Sequence, residues 1–208
     1  MNPERIRRIY DRRACWYDVF VRTATFGLDG RYRRLAVERL RLKEDDHVLD
    51  MGCGTGLNFP LILDRIGAGR LTGVDLSHGM LSRARRRTER SGAADRVHLV
   101  QGAVGDIAFP PRCFDAIVAT YLLTTVPEYE RAIDNLLHAL KPGGRLVLSD
   151  DILPSGWYAG PGIMLSNLLR KGYVNYRKEI LRILSDRLDE VRITWHHLGL
   201  IFIISGTR

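Results

Sequence analysis

The sequence has very little cysteine. Cys15, Cys53 and Cys113 are an odd number with no CxxC pair. That excludes a disulfide framework and a cysteine-based zinc site, and nothing asks for an oxidising compartment. A long apolar run is also lacking. The longest, Leu198 to Ser205, is far short of the ~20 residues that a membrane-spanning helix needs. The opening MNPERIRRIY carries charge with no apolar stretch behind it, so no signal peptide is expected there. Internal repeats and low-complexity linkers are absent. Lysine is scarce as well: it supplies four of the 32 basic residues, so the base is arginine.

What is present is ordinary in bulk. A chain of 208 residues reads as one domain able to bury a sizeable core. Its 45% hydrophobic and 27% charged residues fit a globular protein. The net charge of +8 does not. Arg5, Arg7, Arg8, Arg12 and Arg13 crowd the N-terminus, and Arg83, Arg85, Arg86, Arg87 and Arg90 form a second cluster. Such a field suits nucleic acid, anionic lipid or an acidic metabolite. For the second cluster the preferred reading is a solvated, arginine-rich surface.

The N-terminal forty or so residues read as helical, with Tyr10, Ala14, Tyr17 and Phe20 spaced for one face. From His47 the rhythm changes. HVLDMG, RLTGVD, RVHLVQG, FDAIVAT and GRLVLSD read as buried strands of a parallel sheet. Helices are expected between them: one through Leu61 to Arg65, one from Ser77 to Arg90 with Ser77 as N-cap, and one from Glu128 to Leu140. Lys141-Pro142-Gly143-Gly144 should stop the third and turn the chain into a strand. The tail, VRITWHH then LIFIISG, predicts an antiparallel hairpin around Gly199. This cadence is that of a doubly wound, Rossmann-like α/β sheet with ligands at the carboxyl ends of its strands. The segment from Leu153 to Gly172 is irregular and follows a strand end, where an acceptor-binding insertion belongs.

Gly52, Gly54 and Gly56 form G-x-G-x-G, one residue short of the dinucleotide fingerprint, and no Gly-Lys-Ser/Thr follows. Alone the triplet is a tight turn. Its setting is more specific. Asp50 closes the strand before it, and Asp75 closes the next strand, nineteen residues after Gly56. An acid there accepts from both hydroxyls of a ribose. The expected ligand is a nucleoside with cationic character and no pyrophosphate, which S-adenosylmethionine satisfies. Asp50 would favour its positive charges, the glycines would let backbone approach closely, and the helix N-terminus would face its carboxylate.

The motifs VLDMGCGTG, GVDLS, and LKPGGRLVLSD after FDAIVATYLLTTV resemble those of class I S-adenosylmethionine-dependent methyltransferases, over about Tyr10 to Asp151. The chain is similar to the ubiquinone/menaquinone C-methyltransferases through YDVF…FGLDGRYRR. It is similar to the bacterial phospholipid N-methyltransferases through YLLTTVPEYERAIDNLLHALKPGG. The resemblance implies a sheet of seven mostly parallel strands, with N-terminal helices and the C-terminal hairpin, in one domain spanning 1–208. Residues 1–42 would be a helical lid, 43–152 the cofactor core, 153–173 the acceptor-side insertion, and 174–208 the last helix and hairpin. It also implies that Gly52, Gly54 and Gly56 line the methionine part, with Asp50 and Cys53 beside them. Asp75 would hold the ribose, with Leu76 and Met80 nearby, and Thr120 and Tyr121 would close the site. Where relatives put an acid for the adenine, this sequence has Ala103, so Ala103 and Val104 are expected to flank the base. Asp106, three residues on, reads equally as a turn residue. Tyr32 stands where an aromatic of the quinone-type motif is expected.

Methyl transfer from a sulfonium is an in-line displacement, so alignment and exclusion of water are the main tasks. No metal is expected: His196 and His197, adjacent on a strand, would point to opposite faces. A base is needed only for an acceptor that must lose a proton. Tyr121, Asp150 and Tyr17 are the candidates, the last if the N-terminal helices cover the cofactor. Tyr10 and Asp151 stand near them, and each tyrosine also reads as an aromatic that packs against core or cofactor. His78, just past the capping serine, reads as a helix-terminus residue. The expected acceptor is a small, lipophilic molecule, phospholipid or quinone-like. It would be met in the cytoplasm or peripherally at an anionic membrane, because Ile6, Ile9 and Tyr10 lie beside the N-terminal arginines. A nucleic-acid methyltransferase is the alternative the charge permits, although ATYLLTT lacks the Asn/Asp-Pro-Pro-aromatic run of base methylation. A cofactor-binding protein without chemistry is the other.

Overall fold

The computed structural model describes residues 3–24, 27–126, 128–151 and 179–208. The strands are β1 (His47–Met51), β2 (Arg70–Asp75), β3 (Val97–Gln101), β4 (Phe114–Thr120), β5 (Leu140–Asp151), β6 (Asp189–His196) and β7 (Ile201–Thr207). They form one sheet in the order β3-β2-β1-β4-β5-β7-β6. Pairing is parallel from β3 through β5, and β7 runs antiparallel to both β5 and β6. The seven-stranded expectation is met, hairpin included. The chain winds outward from β1 in both directions, so a crevice opens where β1 and β4 end side by side.

Alternation along the strands divides the core in two. One face carries Leu49, Met51, Ile117, Ala119, Leu146 and Leu148. It is covered by α6 (Tyr129–Ala139) through Ile133 and Leu136, and by α7 (Glu179–Arg187) through Ile180 and Leu184. The other carries Val48, Val118, Val147 and Ile203. It is covered by α3 (Asp29–Arg39), α4 (Phe59–Leu63) and α5 (His78–Arg90), through Ala36, Val37, Phe59, Ile62, Leu81 and Ala84. Burying each side chain of this size contributes about 1.5–3 kcal/mol. Two further helices, α1 (Pro3–Arg13) and α2 (Tyr17–Ala24), precede α3.

Ser77 caps α5 as expected, its Oγ accepting from the Met80 N–H at 3.1 Å. Three local expectations are corrected. The first helix after the glycines is a single short turn, Phe59–Leu63, shorter than the sequence suggested. The KPGG segment does not follow a helix reaching Leu140. The helix ends at Ala139, and KPGG lies within β5, where Gly143 has φ +73° and the register against β4 shifts. His196 and His197 do not diverge to opposite faces. The chain leaves the strand at His197, with φ +51°, and both rings contact Tyr32, at 5.5 and 6.5 Å between centroids. The expected acceptor-side insertion, 153–173, lies outside the described residues.

Candidate active site

A cavity of about 270 Å³ opens at the carboxyl ends of β1, β2 and β4. Its walls include Gly52, Gly54, Asp75, Leu76, Met80, Ala103, Val104, Thr120 and Tyr121, together with Tyr10 and Tyr17 from the first two helices. Nine of the twelve expected cofactor contacts therefore meet around one space.

The glycines divide the labour. A Cβ on Gly54 would come no closer than 3.9 Å to its nearest neighbour, the Tyr17 ring, so its backbone faces open cavity. A Cβ on Gly56 would come within 2.7 Å of the Phe59 ring, and that residue is not among the lining. Gly56 lets α4 pack against the loop.

Asp75 is the lining acid beside the glycine loop. Its Oδ2 accepts from the Gly54 N–H and its Oδ1 from the Ser77 N–H, both at 2.8 Å. Burial pushes its pKa up to about 6, against the lowering effect of those backbone donors. Each oxygen keeps a lone pair for a further donor, which suits a pair of vicinal hydroxyls.

Asp50 sits elsewhere. It is fully buried and lies under the loop, not among the lining residues. The Asn58 side-chain amide donates to both its oxygens, at 3.1 and 3.2 Å. Burial raises its pKa to about 7, opposed by Asn58 and by the charge of Arg33. Cys53 is likewise buried outside the lining, its thiol pushed far up by burial, and its N–H donates to the Val74 carbonyl at 2.9 Å. Both residues are packing and scaffold parts of the turn.

At the far end, Ala103 and Val104 line the cavity with Asp106. Asn135 of α6 donates to the carbonyls of Val104 and Gly105 at 3.1 and 3.0 Å, fixing that loop. Asp106 closes a turn on Ala103 and pairs with Arg131 at 3.6 Å on the rim.

The roof is α1 and α2. Asp11 accepts from Ser77 Oγ at 2.6 Å and from the Gly79 N–H at 2.9 Å, so it caps α5 from another helix. Those bonds, with Arg7 and His78, outweigh burial and lower its pKa. Asp18 accepts from Thr55 Oγ1 at 2.5 Å and from Arg87 at 2.7 Å. Tyr10 and Tyr17 meet edge to face, 6.2 Å apart, beneath these latches.

On the acceptor side, Tyr121 follows β4 with φ +57°, an uncommon backbone state for a bulky residue, and its N–H donates to the Ser149 carbonyl at 2.7 Å. Asp150 is fully buried away from the lining. Of the three candidate bases, Tyr17 and Tyr121 therefore reach the cavity. The residue that sequence reading missed is Arg33, only 5% exposed. Its Nε engages both oxygens of Asp29, at 2.9 and 3.0 Å, while its Nη1 donates to Thr120 Oγ1 at 2.7 Å and Asn58 Oδ1 at 3.1 Å. The signal was there: Arg33 falls on the same helical stripe as Ala36, Val37 and Leu40, where an arginine is buried only if paired.

Among the described residues no group of three or more His, Cys, Asp or Glu is placed to hold a metal ion, and no helix is long and apolar enough to cross a membrane. A family described as Methyltransferase domain matches residues 48–144. The chain is 29% identical to a demethylmenaquinone methyltransferase of Symbiobacterium thermophilum over 177 residues, 85% of this chain and 66% of that protein. It is 39% identical to a phosphatidylethanolamine N-methyltransferase of Cereibacter sphaeroides over 101 residues, 49% of this chain and 48% of that one. Its fold resembles the geranyl diphosphate C-methyltransferase of Streptomyces coelicolor solved with Mg2+, geranyl diphosphate and S-adenosyl-L-homocysteine. The TM-score is 0.74 at 21% identity, covering 87% of this chain and 79% of that one.

Proposed function

We propose that this chain is an S-adenosylmethionine-dependent methyltransferase acting on a lipophilic acceptor met at an anionic membrane surface, a reading supported by the methyltransferase family match over residues 48–144. The observation that carries the reading is a cavity that joins Asp75 and glycine backbone to Leu122, Val126 and three tyrosine rings, with Asp106, Glu128 and Arg131 also in its wall. S-adenosylmethionine supplies an electrophilic methyl group when bound. The Asp75 carboxylate would hold the ribose hydroxyls, Ala103 and Val104 would flank the base by apolar contact, and Gly52 and Gly54 would admit the remainder against backbone. Tyr10 and Tyr17 exclude water from above. Leu122 and Val126 give the remaining wall its apolar character beside Thr120 and Tyr121. For an acceptor that must lose a proton, Tyr17 and Tyr121 are the candidate bases at the cavity, each able to accept the proton only as its phenolate.

The lipophilic acceptor is supported by the relatives, which are named for a prenylated quinone and a phospholipid. The membrane surface is supported by the roof. Trp16 is 73% and Val19 57% exposed, one helical turn apart at the start of α2. Arg7, Arg8, Arg12 and Arg22 are exposed around them. Exposed aromatic and aliphatic side chains among arginines make an interfacial composition. Each arginine near an anionic leaflet adds about 1 kcal/mol, screened by salt.

Two measurements test this. Calorimetry should show binding of S-adenosylhomocysteine and none of NAD; the reverse preference ends the cofactor reading. Sedimentation should show binding to anionic but not zwitterionic vesicles, weakened by salt and by Trp16→Ser. Absence of vesicle binding together with activity on a water-soluble acceptor ends the membrane reading.

A further inference from the structure

Beneath the acceptor wall a buried guanidinium joins three elements that also pack against one another. Arg33 comes from α3, Asn58 stands at the start of α4, and Thr120 and Tyr121 end β4. The Arg33 carbon Cζ lies 5.2 Å from the centroid of the Tyr121 ring, over its face. A desolvated cation over a tyrosine face attracts the ring's negative face. Asp29 occupies the Nε edge of the fork, which leaves Nη1 and the planar face for the site. Burial opposes the charge, yet Asp29, Tyr17 and Tyr121 hold the Arg33 pKa above the ordinary arginine value. Asn58 extends the chain of contacts, its amide donating both to Asp50 and, at 3.1 Å, to Thr120 Oγ1.

We propose that Arg33 is a positioning residue for the transfer: it clamps Thr120 and holds the Tyr121 ring against the acceptor, although it does not itself line the cavity. Two features need such a clamp. Tyr121 sits at φ +57°, a backbone state that persists only where its surroundings over-determine it. It is also the aromatic of the cavity wall that follows β4 directly, so its ring direction sets how an acceptor can approach. A lysine would not replace Arg33, because a point charge cannot serve Asp29, Asn58, Thr120 and a ring face together.

This inference rests on the methyltransferase reading for its meaning but can be tested without an acceptor. Protein labelled with 3-fluorotyrosine has its Tyr121 resonance assigned by Tyr121→Phe. In Arg33→Met that resonance should broaden or move toward its free-chain position, while those of tyrosines remote from the site keep their shifts and report an intact fold. Arg33→Lys, which retains a charge, should show a smaller change. With an acceptor in hand, Arg33→Met should lower kcat about 30-fold or more while S-adenosylhomocysteine affinity stays within about threefold. In a Tyr121→Ala background the same change should lower kcat less than about threefold, since coupled residues are non-additive. An unmoved Tyr121 resonance in Arg33→Met overturns the proposal, as do additive effects in the double variant. If Arg33→Met does not fold, the comparison of Arg33→Lys with the wild type decides by the same resonance. Failure of the wild type to bind S-adenosylhomocysteine would instead count against the function and leave the resonance test standing.

Discussion

The floor and the roof of the cavity are held by different physics. The floor ends strands whose Val48, Leu49, Ile117 and Val118 are fully buried, with neighbours on both faces of the sheet. The roof, α1 and α2, exposes Arg7, Arg8, Arg12 and Arg22 beside Trp16 and is latched by two carboxylates, Asp11 and Asp18. Opening the floor means exposing a core. Opening the roof means exchanging a few charge-assisted hydrogen bonds for water, at side chains already near solvent. Breaking the roof contacts should therefore take less free energy than breaking the floor.

The sharpest way to break that contrast is to weaken the floor. Ile117→Ala should lower unfolding free energy by about 2–5 kcal/mol, measured by denaturant titration. A loss below 1 kcal/mol would mean that the sheet is not the stable half. Next comes the wall between them. Asp75→Ala should lower S-adenosylhomocysteine affinity by roughly 1–3 kcal/mol, whereas Asp106→Ala, on the rim, should lose less. Equal losses would move the adenine contact onto Asp106.

The two buried acids sharpen the comparison through pH. Asp50 and Asp75 have pKa values raised from 3.8 to about 7 and about 6. Raised values mean that the folded state favours the protonated forms. The stability they contribute is complete below pH 3.8 and is lost as pH climbs through 6 and 7. Asp50→Asn should therefore gain stability relative to the wild type between pH 5 and 8, as thermal melts would show; a constant difference would contradict a buried, neutralised Asp50. Ligand affinity runs the other way and should fall below pH 6, because Asp75 accepts best as a carboxylate. The smallest equilibrium effect belongs to the roof. Asp18→Asn should change stability by about 0–1 kcal/mol yet speed cofactor dissociation in stopped flow, and high salt should shrink the difference. A large stability loss with unchanged dissociation would make α2 part of the core.

The sequence by itself determined the sheet. Short apolar runs such as HVLDMG and FDAIVAT, separated by helical periods, permit few arrangements, because each buried backbone must pair and each helix must cover a face. It also marked the glycine turn and Asp75, since strand end and loop are adjacent along the chain. The tertiary structure alone decided which acid meets the cavity. Asp50 and Asp75 both stand near a strand end, but α4 and Asn58 close over the first, while the second faces the cavity from beside the loop. It alone separated Asp150 from Tyr121, which both end neighbouring strands, and brought Asp11, Asp18 and Arg33 to partners 25 to 87 residues away. Local periodicity specifies which face of an element is buried. Which polar group stands opposite depends on how distant elements pack, and that information is in no single stretch of the chain.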